Sequence, residues 1–124
     1  MKYIAHKDGE REQTIKEHLI GTATLAGQFA EKFGSKDWGY CGGMLHDIGK
    51  YSEEFQKKIN EDTNNMVDHA TAGAQLCKKI NLPVLDYCIA GHHAGLPDYG
   101  NTAERSSLCG RYKKKIYNYE AYQE

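Results

Sequence analysis

The sequence predicts an all-α fold, a single domain over residues 1–124 that forms a bundle of about six helices. Apolar residues recur every three or four positions through long stretches of the chain, as one buried helix face requires. Glycine, proline and capping residues interrupt these stretches where helix ends are expected. No stretch alternates apolar and polar residues over a useful length, so no strand is expected. A chain of 124 residues suits one modest core and is too short for two domains.

Three helices are predicted in the first half of the chain. The first, over residues 12–33, has apolar side chains at spacings of three and four and ends before Gly34, a natural helix stop. The second, over 38–50, follows the capping segment 35–37. The third, over 52–59, starts with acidic side chains that favour a helix N-terminus.

Three further helices are predicted beyond the polar loop at 60–65. The fourth covers 68–79, where small side chains permit close packing against other helices. Pro83 suits the start of the fifth helix, which reaches His93. The last covers 102–116, where apolar residues recur every four positions.

Composition limits the partners of this chain. The 16 basic and 17 acidic residues give a formal charge of -1, so overall electrostatics does not favour nucleic acid or membranes. Any polyanion must be held by a local patch or by metal ions. The start of the chain lacks the apolar segment of a secretion signal, and the 4 cysteines form no C-x-x-C pair. We therefore expect a soluble, cytoplasmic protein with reduced thiols and no membrane partner.

Histidines and one aspartate recur at helix ends or beside apolar stripes, and they are His18, His46, Asp47, His69, His92 and His93. Each histidine alone has an ordinary explanation as a packed or capping side chain. Together they come from four of the predicted helices, and helix bundles commonly build metal sites from side chains on facing helices. Imidazole nitrogen and carboxylate oxygen both bind transition metals.

The adjacent pairs add a geometric constraint. Neighbouring residues on a helix point about 100° apart, so His46 with Asp47, or His92 with His93, reach one cluster only if it lies between their directions. Two ions roughly 3.5–4 Å apart meet this condition, with Asp47 as a bridge. Such a pair activates water and stabilises charge on a phosphoryl oxygen. The chemistry that follows is hydrolysis of a phosphodiester or phosphomonoester.

The order of these residues resembles the HD phosphohydrolase superfamily, and more narrowly the HD nuclease domain of the CRISPR-associated helicase-nuclease in type I interference systems. The motifs that carry the resemblance are EHL at 17–19, LHDIGK at 45–50, DHATAG at 68–73 and GHHAGLPD at 91–98. The doubled histidine followed by Ala-Gly-Leu-Pro-Asp is the most characteristic of that nuclease. The resemblance extends from about residue 6 to residue 122.

The resemblance implies a two-metal nuclease that cuts single-stranded DNA, with Fe, Mn, Co or Ni as the ions and Zn or Mg as alternatives. It implies a helicase segment, in the same polypeptide or as a separate subunit, and an RNA-guided surveillance complex that supplies the strand. It assigns Asp47 and Lys50 to catalysis, with Lys50 facing the phosphate or the attacking water. A solvated lysine at a helix end is the competing interpretation of Lys50. The implied metal ligands are His18, His46, Asp47, His69, His92 and His93.

The chain also departs from the family pattern. Family members carry a further metal-binding aspartate on a later helix, and we find no equivalent before Glu124. Asp98 follows the paired histidines too closely for that role, and His6 precedes the first predicted helix, so neither is taken as a ligand. We expect the chain to be the N-terminal part of such a domain. Two other functions stay open, a phosphohydrolase acting on nucleotides and a catalytically incomplete metal-binding module.

Basic residues cluster around the last predicted helix, against a nearly neutral background. They are candidates for contacts with a DNA backbone. A solvated helix face is the competing interpretation, because runs of charge usually mark exposed surfaces. The cluster comprises Arg105, Arg111, Lys113, Lys114 and Lys115.

Overall fold

A computed structural model of the protein describes residues 2–61 and 63–124. Six α-helices in this part of the chain confirm the predicted helical bundle. None of the helices described is long and apolar enough to cross a membrane. In chain order the elements are β1 (Ile4–Asp8), β2 (Arg11–Thr14), α1 (Ile15–Glu31), α2 (Lys36–Leu45), a 3₁₀-helix (Ile48–Tyr51), α3 (Glu53–Glu61), α4 (Ala70–Lys79), α5 (Leu85–Gly91), α6 (Leu108–Lys113) and a second 3₁₀-helix (Glu120–Gln123).

The start of the chain corrects the expectation that no strand is present. Strands β1 and β2 pair as an antiparallel hairpin whose turn contains Gly9 at a φ of 60°. The first helix begins at Ile15 rather than residue 12 because Thr14 and Glu17 form a capping box. The Thr14 hydroxyl accepts a hydrogen bond from the Glu17 N–H at 3.2 Å, and the Glu17 carboxylate accepts one from the Thr14 N–H at 2.9 Å.

The hairpin is attached to the helices by hydrogen bonds to its main chain. The Gln56 side chain of α3 accepts from the Ile4 N–H at 2.9 Å and donates to the Ile4 carbonyl at 3.0 Å. Its amide also donates to the Lys50 carbonyl at 2.9 Å, and the Ile15 N–H donates to the Tyr3 carbonyl. The hairpin therefore packs against α3, and the Gln56 side chain connects it to the 3₁₀-helix that follows Asp47.

Five of the six predicted helices are shorter in the structure. Helix α5, predicted to reach His93, ends at Gly91, and the boundaries of α2 and α6 differ most from the prediction. Helix α2 ends at Leu45, so the His46-Asp47 pair lies at a turn between α2 and the first 3₁₀-helix. Helix α6 begins only at Leu108, where the Ser107 hydroxyl accepts from the Gly110 N–H at 3.1 Å and caps the helix. In both cases the boundary depends on local capping or tertiary contact, which a periodic pattern does not record.

The core joins α1, the first 3₁₀-helix and α4. Ile15 and Ile48 are fully buried, and Leu19 and Leu76 pack with them. Burial of one such aliphatic side chain stabilises a fold by roughly 1.5–3 kcal/mol. The C-terminal segment closes the same cluster, since Tyr119 and Tyr122 pack against it and the Tyr51 hydroxyl donates to Glu124 at 2.8 Å.

Close backbone approach between α2 and α4 depends on Gly73. A Cβ atom at this position would lie 2.3 Å from the Leu45 carbonyl oxygen and 2.8 Å from the Ile89 side chain. The first distance is impossible without movement of the α2 backbone. Gly73 therefore fixes how near α4 comes to the turn that carries His46 and Asp47.

We expect Gly73→Ala to lower the free energy of unfolding by more than about 2 kcal/mol, because the methyl group forces two helices apart. Gly21→Ala is the matched control, since its Cβ would meet nothing within 4 Å on an exposed helix face. That variant should gain roughly 0.5–1 kcal/mol from helix propensity. Urea denaturation of both variants measures the difference, and equal stabilities would contradict the proposed packing constraint.

Candidate metal centre

The structure brings together all six side chains that the sequence indicates as metal ligands. Helix α1 supplies His18, and the turn after α2 supplies His46 and Asp47. His69 lies at the N-terminal cap of α4, and His92 and His93 follow the end of α5. They form two overlapping groups whose ligand atoms lie within 4.8 Å of one another, one of Asp47, His69, His92 and His93 and one of His18, His46 and Asp47.

Asp47 is the residue that the two groups share. Its carboxylate is buried, with an exposed fraction of 3%. One oxygen, Oδ2, lies 2.9 Å from Nε2 of His18 and 3.2 Å from Nε2 of His46. The other, Oδ1, lies 3.0 Å from Nε2 of His92 and 3.4 Å from Nε2 of His69. A single carboxylate thus faces a different set of imidazoles with each oxygen.

Backbone carbonyl groups fix which nitrogen of three histidines faces Asp47. Nδ1 of His46 lies 2.6 Å from the Gly43 carbonyl, and Nδ1 of His92 lies 2.6 Å from the Ile89 carbonyl. Nδ1 of His69 approaches the Val67 carbonyl at 3.3 Å. Because a carbonyl oxygen only accepts, each Nδ1 carries the proton and donates. This arrangement is typical of metal-binding histidines, which leave Nε2 for the ion.

The donor set fits a cation at the centre. A deprotonated Nε2 and a carboxylate oxygen near 3 Å repel each other unless a proton or a metal ion lies between them. Nε2 of His69 and Nε2 of His93 approach to 2.7 Å, which poses the same requirement. Nitrogen and carboxylate ligands of this kind suit divalent transition metals. One group offers four ligand atoms and the other offers three, so an ion in the smaller group would keep more positions for water or substrate.

The proton affinities of the cluster follow from burial and from Asp47. Burial alone would raise the pKa of Asp47, but hydrogen bonds from His18, His46 and His92 outweigh it and hold that pKa far below its usual range. Burial lowers the pKa of His69 to about 4, so this imidazole is neutral near pH 7. Burial also opposes charge on His92, yet its hydrogen bond with Asp47 leaves the pKa raised. A bound ion has to replace that proton.

Lys50 is part of the same cluster rather than a solvated lysine at a helix end. Its side chain is buried, and the ammonium lies 3.1 Å from Oδ2 of Asp47. The ammonium also lies 3.4 Å from the Ala5 carbonyl and 3.4 Å from Nε2 of His6. The His6 ring packs edge-on against His18 with centroids 4.7 Å apart. Sequence patterns do not place His6 at the site because they do not predict β1, and its contact with Lys50 becomes visible only in the fold.

The basic residues around α6 divide into two classes. Lys114 forms an ion pair with Asp68 at 2.5 Å, and the Arg111 guanidinium donates to the Ala90 carbonyl. The side chains of Lys114 and Arg111 therefore make contacts within the fold. Arg105, Lys113 and Lys115 are exposed. All five line a cleft of about 1020 Å³, together with His69, His93 and Lys58 of α3. Sequence reasoning missed Lys58, since its position on α3 carries no signal of the cleft.

Comparison with known proteins identifies the family. The HD domain family matches residues 15–121. The chain belongs to the HD domain family. This is a superfamily of metal-dependent hydrolases, and the shared Asp47 cluster fits metal binding. The chain is also 29% identical over 102 residues to a [1-hydroxy-2-(trimethylamino)ethyl]phosphonate dioxygenase (glycine-betaine-forming) of Leisingera caerulea. That alignment covers 77% of this chain and 50% of the relative, so the chain spans about half the length of the curated relative it matches.

The shared carboxylate predicts a distinct metal stoichiometry for each ligand variant. We expect the wild-type protein to bind two ions tightly. His18→Ala and His93→Ala should each keep one tightly bound ion. Asp47→Asn should bind both ions more weakly than the wild-type protein does. Loss of a direct ligand should weaken its ion by more than the roughly 10–100-fold seen for supporting residues. Elemental analysis after equilibration with Mn²⁺ or Ni²⁺ measures this.

His6→Ala is the matched control, because His6 packs on His18 but belongs to neither ligand group. It should keep two ions. Two tightly bound ions in Asp47→Asn would refute the bridging role.

Asp68 positions His69 by capping helix α4. Its carboxylate accepts from the N–H groups of Ala70 and Thr71 at 3.1 Å and from the Thr71 hydroxyl at 2.6 Å. Burial would raise the pKa of Asp68, but the hydrogen bonds from Lys114 and Thr71 outweigh it and lower the pKa to about 2. The folded state therefore binds this proton more weakly than the unfolded chain does.

We expect Asp68→Ala to lower the free energy of unfolding by about 1–2 kcal/mol, because α4 loses its cap and Lys114 its partner. Asp68→Asn keeps an acceptor for the cap and should lose less. Since the pKa of Asp68 is depressed on folding, its charge stabilises the protein fully above about pH 4, and this contribution disappears as the pH falls through about 2. Urea denaturation across that range should show wild type and Asp68→Asn converging. A constant difference would contradict the assigned pKa shift.

Proposed function

We propose that this protein is a metal-dependent nuclease that hydrolyses phosphodiester bonds in single-stranded DNA. The observation that carries the proposal is the Asp47 carboxylate, whose two oxygens face two groups of imidazoles. A shared carboxylate is the arrangement expected where two ions act on one phosphate. From the family resemblance we propose Fe, Mn, Co or Ni as the ions, with Zn or Mg as alternatives, and the imidazole and carboxylate ligands are compatible with divalent transition metals.

The ions, when bound, supply charge that neutralises phosphoryl oxygens and lowers the pKa of water. The residues of the chain provide the rest. Asp47 holds the two histidine groups at a fixed separation, and the carbonyl groups behind His46 and His92 prevent their rings from turning. Lys50 places a buried ammonium 3.1 Å from the Asp47 oxygen that faces His18 and His46. We assign Lys50 to hold Asp47 and to donate a hydrogen bond to the phosphate or the attacking water.

Two observations support a polynucleotide substrate over a mononucleotide. The cleft next to His69 and His93 is lined by basic side chains well beyond the centre itself. The GHHAGLPD motif at 91–98 resembles the CRISPR-associated nuclease more closely than other HD enzymes. On that resemblance we further propose that a helicase segment and an RNA-guided surveillance complex deliver the strand.

A second candidate function comes from the relative from Leisingera caerulea, whose name describes a dioxygenase. The alignment covers 77% of this chain, so the same centre in this protein is a candidate for oxygen-dependent chemistry. Hydrolysis consumes water and needs no oxygen, whereas a dioxygenase reaction requires O₂. Oxygen dependence therefore separates the two functions.

The decisive experiment is cleavage of a labelled single-stranded oligonucleotide by protein reconstituted with Mn²⁺ or Ni²⁺, in air and under nitrogen. We expect equal cleavage rates in both atmospheres. The cleavage rate of Asp47→Asn should fall by more than about 100-fold, because removing a bridging ligand should reduce activity more than removing a supporting residue does. Asp37→Asn changes an exposed aspartate on helix α2, which precedes Asp47, and this matched control should cleave normally.

Three other results have defined meanings. Cleavage of the oligonucleotide in air but not under nitrogen would favour an oxygen-dependent reaction over hydrolysis. Release of products from mononucleotides alone would favour a nucleotide phosphohydrolase. Metal binding without any turnover would indicate a non-catalytic module and refute the proposed nuclease.

A further inference from the structure

We infer that the cleft beside His69 and His93 binds the phosphates that flank the scissile one, so that a single strand leaves the metal centre across helix α6. This inference rests on the proposed function, because it names the path of the same substrate. It adds a binding site whose residues, mainly Arg105, Lys113 and Lys115, belong to neither metal group.

The charge of the cleft is unlike that of the whole chain. Among the described residues that line it, Asp68 is the single acidic side chain, in a protein whose formal charge is -1. The basic residues come from α3 and from both ends of α6, and they are Lys58, Arg105, Arg111, Lys113, Lys114 and Lys115. A concave surface with one sign of charge concentrates the field and attracts an anionic ligand.

The fold accounts for only part of this charge. Lys114 neutralises Asp68, and the Gln75 amide donates to the Arg111 and Lys114 carbonyls at 2.7 Å each. These contacts tie the chain after α6 to helix α4. Within residues 2–61 and 63–124, no carboxylate lies within 4.0 Å of the charged groups of Arg105, Lys113 or Lys115. Their positive charges are available to a ligand.

The position of these charges points to a ligand with several phosphates. The metal ions would already neutralise the scissile phosphate, so cations farther along the cleft have no role on a substrate that carries one phosphate. Apolar groups also line the cleft, among them Met66, which is 96% exposed, and Val67. An unpaired base has an open face for such contacts, whereas the bases of a duplex are stacked. The combination favours a single-stranded polynucleotide.

The test is a pair of double charge reversals. Lys113→Glu with Lys115→Glu changes the cleft, and Lys57→Glu with Lys79→Glu changes two exposed lysines that lie outside its lining. Binding of a fluorescent oligothymidylate of about twelve nucleotides is measured by anisotropy in EDTA at several salt concentrations. Turnover of bis(p-nitrophenyl) phosphate with Mn²⁺ reports on the metal centre alone, and thermal melting followed by circular dichroism reports on folding.

We expect the cleft variant to bind the oligonucleotide at least about 10-fold more weakly. Its salt slope, d log K/d log[salt], should become shallower by about 1.4, or about 0.7 for each phosphate that a lysine no longer neutralises. Its melting temperature and its turnover of the small diester should match those of wild type. The control variant should bind like wild type. These results together would establish the cleft as the strand path.

Equal affinity and equal salt slope in the cleft variant would overturn the inference, as would the same loss in the control. Wild-type binding to phosphatidylserine vesicles that is lost in the cleft variant, without any loss of oligonucleotide binding, would identify a membrane-facing surface instead. Failure of the proposed function has a separate signature. Wild-type protein would then not hydrolyse the small diester, while the cleft variant would still lose oligonucleotide affinity.

Discussion

The burial of one carboxylate between two sets of imidazole rings is the constraint on which this fold depends. A buried charge costs several kcal/mol unless it is paired and hydrogen-bonded. Asp47 meets this requirement only because residues from α1, α2, α4 and α5, together with Lys50, converge on its two oxygens. Displacement of any one of these helices would remove one of the partners of the carboxylate. The packing of the helices and the geometry of the metal centre therefore depend on each other.

Most partners of Asp47 lie at helix ends rather than on helix faces. His69 lies at the start of α4, and His92 lies just after α5, where free backbone carbonyls can hold an Nδ1 proton. Gly49 lets the first 3₁₀-helix touch the backbone of His69, since a Cβ there would lie 2.4 Å from the His69 carbonyl oxygen. Backbone contact at this range leaves little freedom for the separation of the ligands. Contacts of the main chain therefore fix the positions of the ligands in the centre.

Sequence patterns predicted the helical bundle and the convergence of the candidate ligands, because both depend on local periodicity and on residue chemistry. They missed the hairpin, since β2 contains no apolar residue whose alternation could reveal it. They also placed the end of the second helix too late, because a contact with His69, distant in sequence, shapes the segment after Asp47. Burial of Lys50 and the part of Lys58 in the cleft depend on tertiary packing alone.

The ion pair between Asp68 and Lys114 joins the wall of the cleft to the start of α4. An anion that draws Lys114 away removes a partner from the carboxylate that caps the helix next to His69. Occupancy of the cleft and the geometry of one metal ligand are then thermodynamically linked, and such linkage acts equally in both directions. A filled metal centre would thereby change the affinity of the cleft for an anion, and a bound anion would change the affinity of the centre for its ion.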